Sequence, residues 1–275
     1  MALYAIVSPG GSPGATTSAL ALALAWPRPV ILAECDPGGG AILAGLFAGH
    51  LPAPPGLLGL ALEAGRGAEV TTADLVAQLA PLDKGGNRWF LAGIHDPRQA
   101  LGLAPSWPAI AAALAGHSAD VIADCGRLDA VESRPASILA VASLVVLVMR
   151  ASLRQVAAAR PRIEMVTAIT GGSARLRLLL VGEQGHAVRE IARTQRVAVL
   201  GSLPLDRKTA AVLSDGQGRR SGLHRSSLIR AAKVAGLAMI ELTAGTAAAG
   251  RTVVADPVGA RAADHVAVLP ARSEP

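Results

Sequence analysis

The residues best suited to chemistry lie in the stretch SPGGSPGATTSALALALAW, residues 8–26, behind a short apolar run. Gly10, Gly11 and Gly14 allow the backbone to turn several N–H groups toward one point, an arrangement that binds phosphate. A helix that begins directly after these glycines would add the positive end of its dipole. Thr16 offers a hydroxyl where phosphate-binding loops place a magnesium ligand. The stretch contains no lysine, although such loops normally carry one.

Acidic residues follow two further apolar runs. The segment PVILAECDPGGG delivers Glu34 and Asp36, and the segment ADVIADCG delivers Asp124, with Gly126 two residues later. A carboxylate at the end of a buried strand is costly without a partner, which favours a functional role for Asp36 and Asp124 as magnesium ligands, in part through water. For Glu34, the sequence leaves both a functional and a structural role open. Thr16 is open between binding a metal and capping a helix.

A parallel sheet would position these residues, because the carboxyl ends of its strands meet at one edge. Apolar runs and helical patterns alternate along the chain, which is typical of βαβ units. The sequence therefore predicts an α/β fold with a doubly wound, mainly parallel sheet and helices on both faces. The predicted strands are 3–7, 30–34, 88–94, 120–123, 144–149, 176–181 and 197–200. The predicted helices are one from residue 16, then 72–79, 109–115, 153–160, 187–194 and 226–242.

Composition limits the class of protein. Hydrophobic residues make up 51% of the 275 residues and aromatic residues only 2%, which suits buried strands under Ala-rich helices. Cys35 and Cys125 give neither a disulfide framework nor a metal-binding spacing, which predicts a reducing cytoplasm. No basic residue precedes ALALALAW, so it does not read as an export signal. No apolar run reaches the ~20 residues of a membrane-spanning helix.

Periodicity and charge change toward the C-terminus. Residues from 245 onward lose helical periodicity and gain Gly and Pro, which predicts a domain over 1–244 and a flexible tail over 245–275. Residues 1–149 carry 7 basic and 11 acidic side chains, whereas residues 150–275 carry 19 and 9. A basic half of this kind suits either a solvated surface or non-specific contact with DNA. The candidate DNA-binding residues are Arg150 and Arg154, placed one helical turn apart, Arg189, Arg193 and Arg196 as a second stripe, and Arg219, Arg220, Arg225, Arg230 and Lys233.

The loop and the two acidic segments, in this order and spacing, resemble the ParA/MinD group of deviant-Walker P-loop ATPases. The resemblance continues through REIARTQRVAVLGSLPLDRKTAAVLSDG, which is similar to that group's late helix and the segment near its nucleotide base. It covers roughly residues 2–242. Members of this group position chromosomes, plasmids, division septa, flagella and pili, so the resemblance implies an ATP-binding positioning protein.

Departures from the group's KGGxGKTT loop bear on mechanism. Gly10 occupies the position of the signature lysine and Ala15 that of the P-loop lysine, so both ammonium groups are lost. Phosphoryl transfer depends on such charges, which predicts weak binding of ATP or ADP with magnesium, if any, and slow or absent hydrolysis. The residues that the resemblance assigns to nucleotide binding are Gly10, Gly11, Gly14, Ala15, Thr16 and Thr17. Those assigned to magnesium are Thr16, Asp36 and Asp124, and Asp36 is assigned to catalysis. Arg127, just beyond Asp124 in what resembles the switch II segment, is the best placed arginine to replace a lysine in catalysis, and a surface arginine without a catalytic role is the alternative reading.

Three functions remain open at this point. The first is a positioning protein with a degenerate nucleotide site and a protein partner in a partition, septum, pilus or secretion system. The second is an active ATPase in which an arginine replaces the missing lysines. The third is a scaffold that docks protein partners or DNA without catalysis. Since Gly10 cannot neutralise phosphates across a subunit interface, any homodimer is expected to form independently of nucleotide.

Overall fold

The computed structural model describes residues 1–10, 14–50, 54–67, 69–128, 135–182, 186–217 and 222–253. Within these ranges the strands form one eight-stranded sheet in the order β3-β4-β2-β5-β1-β6-β7-β8. The strands are β1 (Leu3–Ser8), β2 (Val30–Glu34), β3 (Leu79–Pro81), β4 (Arg88–Leu91), β5 (Asp120–Arg127), β6 (Leu144–Met149), β7 (Leu176–Val181) and β8 (Val199–Leu203). Every neighbouring pair is parallel except β3 and β4, which confirms the predicted mainly parallel sheet.

Helices cover both faces of this sheet. They are α1 (Ala15–Ala25), α2 (Leu57–Gly65), α3 (Thr72–Ala77), α4 (Ala100–Leu103), α5 (Trp107–Gly116), α6 (Ala136–Val141), α7 (Leu153–Thr170), α8 (His186–Gln195), α9 (Arg207–Asp215) and α10 (Ser227–Val253). Helices α2 to α8 contribute to one buried cluster, and α1, α9 and α10 contribute to the other. The fold is therefore doubly wound, as the sequence predicts. Within the described ranges, no helix combines the length and the apolar composition that crossing a bilayer requires.

The central strands are buried on both faces, so their side chains alternate between the two clusters. In β1, Ala5 and Val7 belong to the cluster under α2 to α8, whereas Tyr4 and Ile6 belong to the cluster under α1 and α10. This alternation follows from the two-residue repeat of a strand. It explains why the apolar runs of the sequence are continuous rather than interrupted by polar residues.

Two helices extend beyond their predicted ends. Helix α7 was expected to stop at Arg160, before Pro161, but it continues to Thr170. Proline removes one helical hydrogen bond, and the buried residues Ala159 and Ile163 on either side hold the helix to the core. Helix α10 runs to Val253, so the predicted boundary at 244 falls inside it. The division into a domain and a tail stays a prediction, and residues 254–275 lie outside the described ranges.

The amino-terminal edge of the sheet is held by one buried carboxylate. Asp120, the first residue of β5, is fully buried. Its Oδ1 accepts a hydrogen bond from the Ala2 backbone N–H at 3.0 Å, and its Oδ2 accepts from Trp26 Nε1 and Arg28 Nε, both at 2.8 Å. The Arg28 guanidinium also forms an ion pair with Asp120 at 2.6 Å. The carboxylate thus joins the start of β1, the end of α1 and the turn into β2.

We expect Asp120→Ala to lower the free energy of unfolding by about 2–4 kcal/mol, because a buried indole N–H and a guanidinium lose their acceptor. Urea unfolding followed by circular dichroism measures the loss. The control is Glu63→Ala, which removes the exposed ion pair between Glu63 and Arg66 and should cost less than about 1 kcal/mol. Equal losses in the two variants would contradict the anchoring role of Asp120.

Candidate functional site

A cavity of about 860 Å³ opens at the carboxyl-terminal edge of the sheet. Its wall is formed by the start of α1, the segment after β2, helix α4 and the ends of β5, β6, β7 and β8. The lining side chains that carry polar groups are Ser8, Thr16, Thr17, Ser18, Asp36, Arg127, Arg150 and Asp206. The cavity therefore lies where open parallel sheets bind ligands.

The start of α1 forms the floor of this cavity. Gly14 is the N-cap residue with φ 95°, and no side chain caps the helix. Ala15, Thr16 and Thr17 follow directly and line the cavity. Thr16 is thus inside the first turn rather than at the N-cap, which removes the capping role that the sequence left open for it. The predicted ligand Gly11 lies outside the described residues, between Gly10 and Gly14.

A β-bulge at the end of β5 directs the side chains that follow it. Ile6 of β1 pairs with Asp124, but two residues later Ser8 pairs with Arg127, so β5 contains one extra residue. A bulge changes which face each later side chain occupies. Consequently Leu128 joins the core under α2 to α8, and Arg127 lines the cavity. The Arg127 Cδ lies 3.6 Å from where a Cβ on Gly10 would be.

Gly126 occupies the bulge because two constraints exclude a side chain there. Its φ is +63°, which L-residues adopt only at a cost. In addition, a Cβ on Gly126 would lie 1.9 Å from Asp36 Oδ2. The Asp36 carboxylate therefore packs directly against the backbone of β5. Its Oδ1 accepts a hydrogen bond from the Gly38 N–H at 2.7 Å, which fixes the orientation of the carboxylate.

Asp124 lies behind Thr16 and is only 2% exposed. Its carboxyl group bonds to the Thr16 side chain and accepts a hydrogen bond from the Gly126 N–H at 3.2 Å. Burial, together with the negative charges of Asp36 and Glu34, raises the pKa of Asp124 to about 7, against the lowering effect of these two hydrogen bonds. The geometry joins the first turn of α1 to the end of β5 through a carboxyl group that can carry a proton near neutral pH.

Glu34 has a structural role. Its Oε1 accepts hydrogen bonds from the backbone N–H groups of Ala41 and Ile42, both at 2.8 Å, and its Oε2 accepts from the Gly93 N–H at 3.3 Å. Burial raises the pKa of Glu34, and the three backbone donors partly oppose this shift. The carboxylate ties the Gly-rich segment after β2 to the end of β4. A Cβ on Gly40 would lie 2.6 Å from Glu34 Oε2, so the segment can approach only as glycine.

Two residues near the cavity were not recognised from the sequence as part of this site. Arg150 follows β6 directly and lines the cavity, whereas α7 begins only at Leu153, after the N-cap Ser152. The expected helical spacing of Arg150 and Arg154 is therefore wrong, because Arg150 is not on the helix. Gln155 is 3% exposed and bonds to the backbone on both sides of the cavity floor. The sequence signal that could have identified Gln155 is a polar residue at a position where the helical pattern of α7 predicts burial.

The ends of β7 and β8 close the far side of the cavity with Val181, Leu203, Pro204 and Leu205. Asp206 also lines the cavity, and it caps α9 by accepting a hydrogen bond from the Thr209 N–H at 3.0 Å. Burial tends to raise the pKa of Asp206, but hydrogen bonds from Thr209, Ser227 and the Leu228 backbone outweigh it, and the pKa is lowered. Apart from Asp206, the side chains named here are apolar, so this side of the cavity is mainly apolar.

Neither the models of known protein families nor the curated proteins give a match to this sequence. Solved structures do match. The ParA family ATPase from Chlorobium tepidum TLS has a TM-score of 0.67 at 13% identity, over 86% of this chain and 97% of its own. The cell division ATPase MinD from Pyrococcus furiosus has a TM-score of 0.67 at 15% identity, over 88% and 99%. The septum site-determining protein MinD from Pyrococcus horikoshii OT3, complexed with Mg-ADP, has a TM-score of 0.62 at 16% identity, over 85% and 94%. The chain thus has the ParA/MinD fold that its motifs resemble.

The raised pKa of Asp124 predicts a pH-dependent stability. Between pH 3.8 and about 7, Asp124 is protonated in the folded protein but ionised in the unfolded chain. The stability that this proton contributes is therefore complete below pH 3.8 and is lost as the pH rises through about 7. Asp124→Asn mimics the protonated group. Without divalent cations, we expect this variant to be more stable than the parent at about pH 8, by about 1–3 kcal/mol, and to show a flatter profile.

Urea unfolding at a series of pH values measures this profile. Glu69→Gln is the control, because it neutralises an exposed carboxylate and should leave the parent profile in place. If the profile of Asp124→Asn ran parallel to that of the parent, Asp124 would not be the group responsible.

Proposed function

We propose that this protein is a positioning protein of the ParA/MinD type that binds ATP or ADP with magnesium weakly and hydrolyses ATP slowly or not at all. Its cargo would be a chromosome, a plasmid, a division septum, or a pilus or secretion apparatus, reached through a protein partner. One observation carries the proposal. Hydroxyl and carboxyl groups suited to magnesium gather at the start of α1, yet the positions of both loop lysines hold Gly10 and Ala15.

The cavity and its polar groups fit a nucleotide with magnesium. Its volume of about 860 Å³ lies in the range of small-molecule sites. Within the described residues, no cluster of His, Cys, Asp or Glu is large enough to hold a metal alone. Magnesium prefers to keep waters and phosphate oxygens, so Thr16, Asp36 and Asp124 would hold it jointly with a nucleotide. When bound, the ion neutralises charge on the phosphates.

The positions of Asp36 and Arg127 support the proposed catalytic roles. Asp36 lies at the end of β2 with its carboxylate over β5, where it would orient a water molecule toward a terminal phosphate. Arg127 lies beside Gly10 and would partly replace the charge of the missing signature lysine. Ala15, 7% exposed, occupies the position of the P-loop lysine at the start of α1. Among the described residues of the loop, no side chain replaces the ammonium group of that lysine. Hydrolysis should therefore be slow, although an ATPase sustained by Arg127 is the alternative.

We expect Ala15→Lys to tighten ATP binding about 10-fold, because it restores a cation at the helix N-terminus where phosphate would lie. Calorimetry with ATP and magnesium measures the affinity, and phosphate release measures turnover. The control is Ala77→Lys, which adds the same charge at an exposed position at the end of α3. An equal gain in both variants would indicate a general charge effect and contradict a loop that lacks only its cation.

The same measurements on the parent protein separate the three candidate functions. Weak binding with little turnover supports the proposal. Brisk turnover would overturn it in favour of an ATPase that uses an arginine, for which Arg127→Ala is the decisive variant. No binding of ATP or ADP would leave the scaffold. Since the cavity lacks a cation at position 10, we also propose that any homodimer forms equally with and without nucleotide.

Non-specific DNA binding is a second candidate, favoured by the exposed arginines on the last third of the chain. Arg189 and Arg193 lie one turn apart on α8, with Arg196 directly after it, and all three are exposed. Arg225, Arg230 and Lys233 are exposed near the start of α10. Arg219 and Arg220 lie outside the described residues. Few aromatic residues are present to stack on bases, so contacts would be to phosphates.

If this surface binds DNA, affinity should fall steeply with salt and show no sequence preference, because binding arises from counterion release. Gel shifts at low and moderate salt measure this. The double variant Arg189→Ala with Arg193→Ala should weaken DNA binding and reduce the salt slope by about 2. The control Arg66→Ala, in the N-terminal half of the sequence, should leave both the affinity and the salt slope unchanged. Binding that resists high salt or selects a sequence would contradict this candidate.

A further inference from the structure

We propose that Arg150 is a phosphate-binding residue of the cavity and supplies, from the end of β6, a positive charge that the loop has lost. This inference rests on the proposed nucleotide site and names one more residue that holds the ligand. It reassigns Arg150, an exposed residue that lines the cavity, from the candidate DNA-binding surface to the nucleotide site.

The order of the strands places Arg150 beside the phosphate-binding loop. Strands β5 and β6 pair with β1 on its two sides. Gly10, two residues after β1, therefore lies between the end of β5, which carries Arg127, and the end of β6, which Arg150 follows directly. Both arginines line the cavity. A ligand held at the start of α1 would have an arginine available from each side.

Gln155 fixes the backbone of Arg150 relative to the loop. Its Oε1 accepts a hydrogen bond from the Arg150 N–H at 2.9 Å, and its Nε2 donates to the Gly10 carbonyl at 3.2 Å. Because Gln155 is buried in the first turn of α7, the amide is a rigid link between the two segments. The backbones of Gly10, at the position of the signature lysine, and of Arg150, which lines the cavity, are thus held by one side chain.

The charges along the sheet edge are arranged for a phosphate with a cation. Asp36 and Asp124 lie at the ends of β2 and β5, on one side of the loop, and Arg150 lies on the other side, at the end of β6. Asp36 and Asp124 would hold a metal ion on the acidic side, and Arg150 would be the cation available to phosphate oxygens on the β6 side. A guanidinium binds such oxygens in pairs, which a lysine cannot do.

The test compares the affinity of three full-length variants for ATP with magnesium, measured by calorimetry. We expect Arg150→Ala to weaken binding by about 10- to 100-fold, and Arg150→Lys to retain part of the affinity. The matched control is Arg160→Ala. Arg160 lies on α7, where its side chain is 81% exposed and pairs with Glu164. The affinity of this variant for ATP should stay within about 2-fold of the parent. Thermal unfolding of each free variant verifies that the fold is intact.

The salt dependence of binding separates a direct contact from a structural effect. If Arg150 touches phosphate, Arg150→Ala should flatten the decline of ATP affinity with salt, since one charge contact is gone. Affinity and salt dependence equal to the parent in Arg150→Ala would overturn the assignment of Arg150 and leave the nucleotide site in place. An equal loss in Arg160→Ala would also overturn it. If the parent binds no ATP, the proposed function fails first, and this inference fails with it.

Discussion

The extra residue in β5 is the constraint on which the functional edge of the molecule depends. Gly126 forms the bulge, and it must be glycine because the Asp36 carboxylate lies where its Cβ would be and because its φ is positive. Without the bulge, the two-residue repeat of β5 would turn Arg127 toward the core and Leu128 toward the cavity. One backbone irregularity thus brings a carboxylate from β2 and a guanidinium from β5 to the same cavity.

Charge in this cavity comes from strand ends rather than from the loop. Gly10 has φ 124°, a conformation that disfavours any side chain, so the loop as folded here does not suit a lysine at that position. Instead, Arg127 ends β5 and Arg150 follows β6, while Asp36 follows β2 and Asp124 lies near the end of β5. In the proposed nucleotide site, the helix N-terminus would still bind the anion, with charge supplied by other elements than the loop. This is also why binding is expected to survive better than catalysis, which depends on cations held close to the transferred phosphate.

Strand β5 has a buried carboxyl group near each end, and the two groups have different electrostatic surroundings. At its start, Asp120 is buried, and its two oxygens accept three hydrogen bonds and an ion pair, so the carboxylate has partners on both oxygens. At its end, Asp124 is equally buried among other acids, and its pKa is raised to about 7. A carboxyl group in that state is a cost to the folded protein without a cation.

Much of the architecture could be predicted from the sequence because it depends on local pattern. The bounds of β2, β6 and β7 agree with the predicted apolar runs, since strands buried on both faces need continuous apolar residues. Local signals failed where packing overrides propensity. Helix α7 passes through Pro161 because buried residues on either side of the proline pack into the core. Helix α10 continues to Val253, beyond the loss of periodicity at residue 245.

For the site, the sequence alone determined which residues end the strands, and hence that Asp36, Asp124 and Arg127 were candidates. The role of each side chain was decided only by tertiary structure. Glu34 proved to hold a loop, because its acceptors meet backbone donors from two separate segments. Arg150 proved to line the cavity, because β6 pairs beside β1 and α7 begins after Ser152. Spacing along the chain cannot reveal either fact, since both depend on which strands are neighbours and on the register in which they pair.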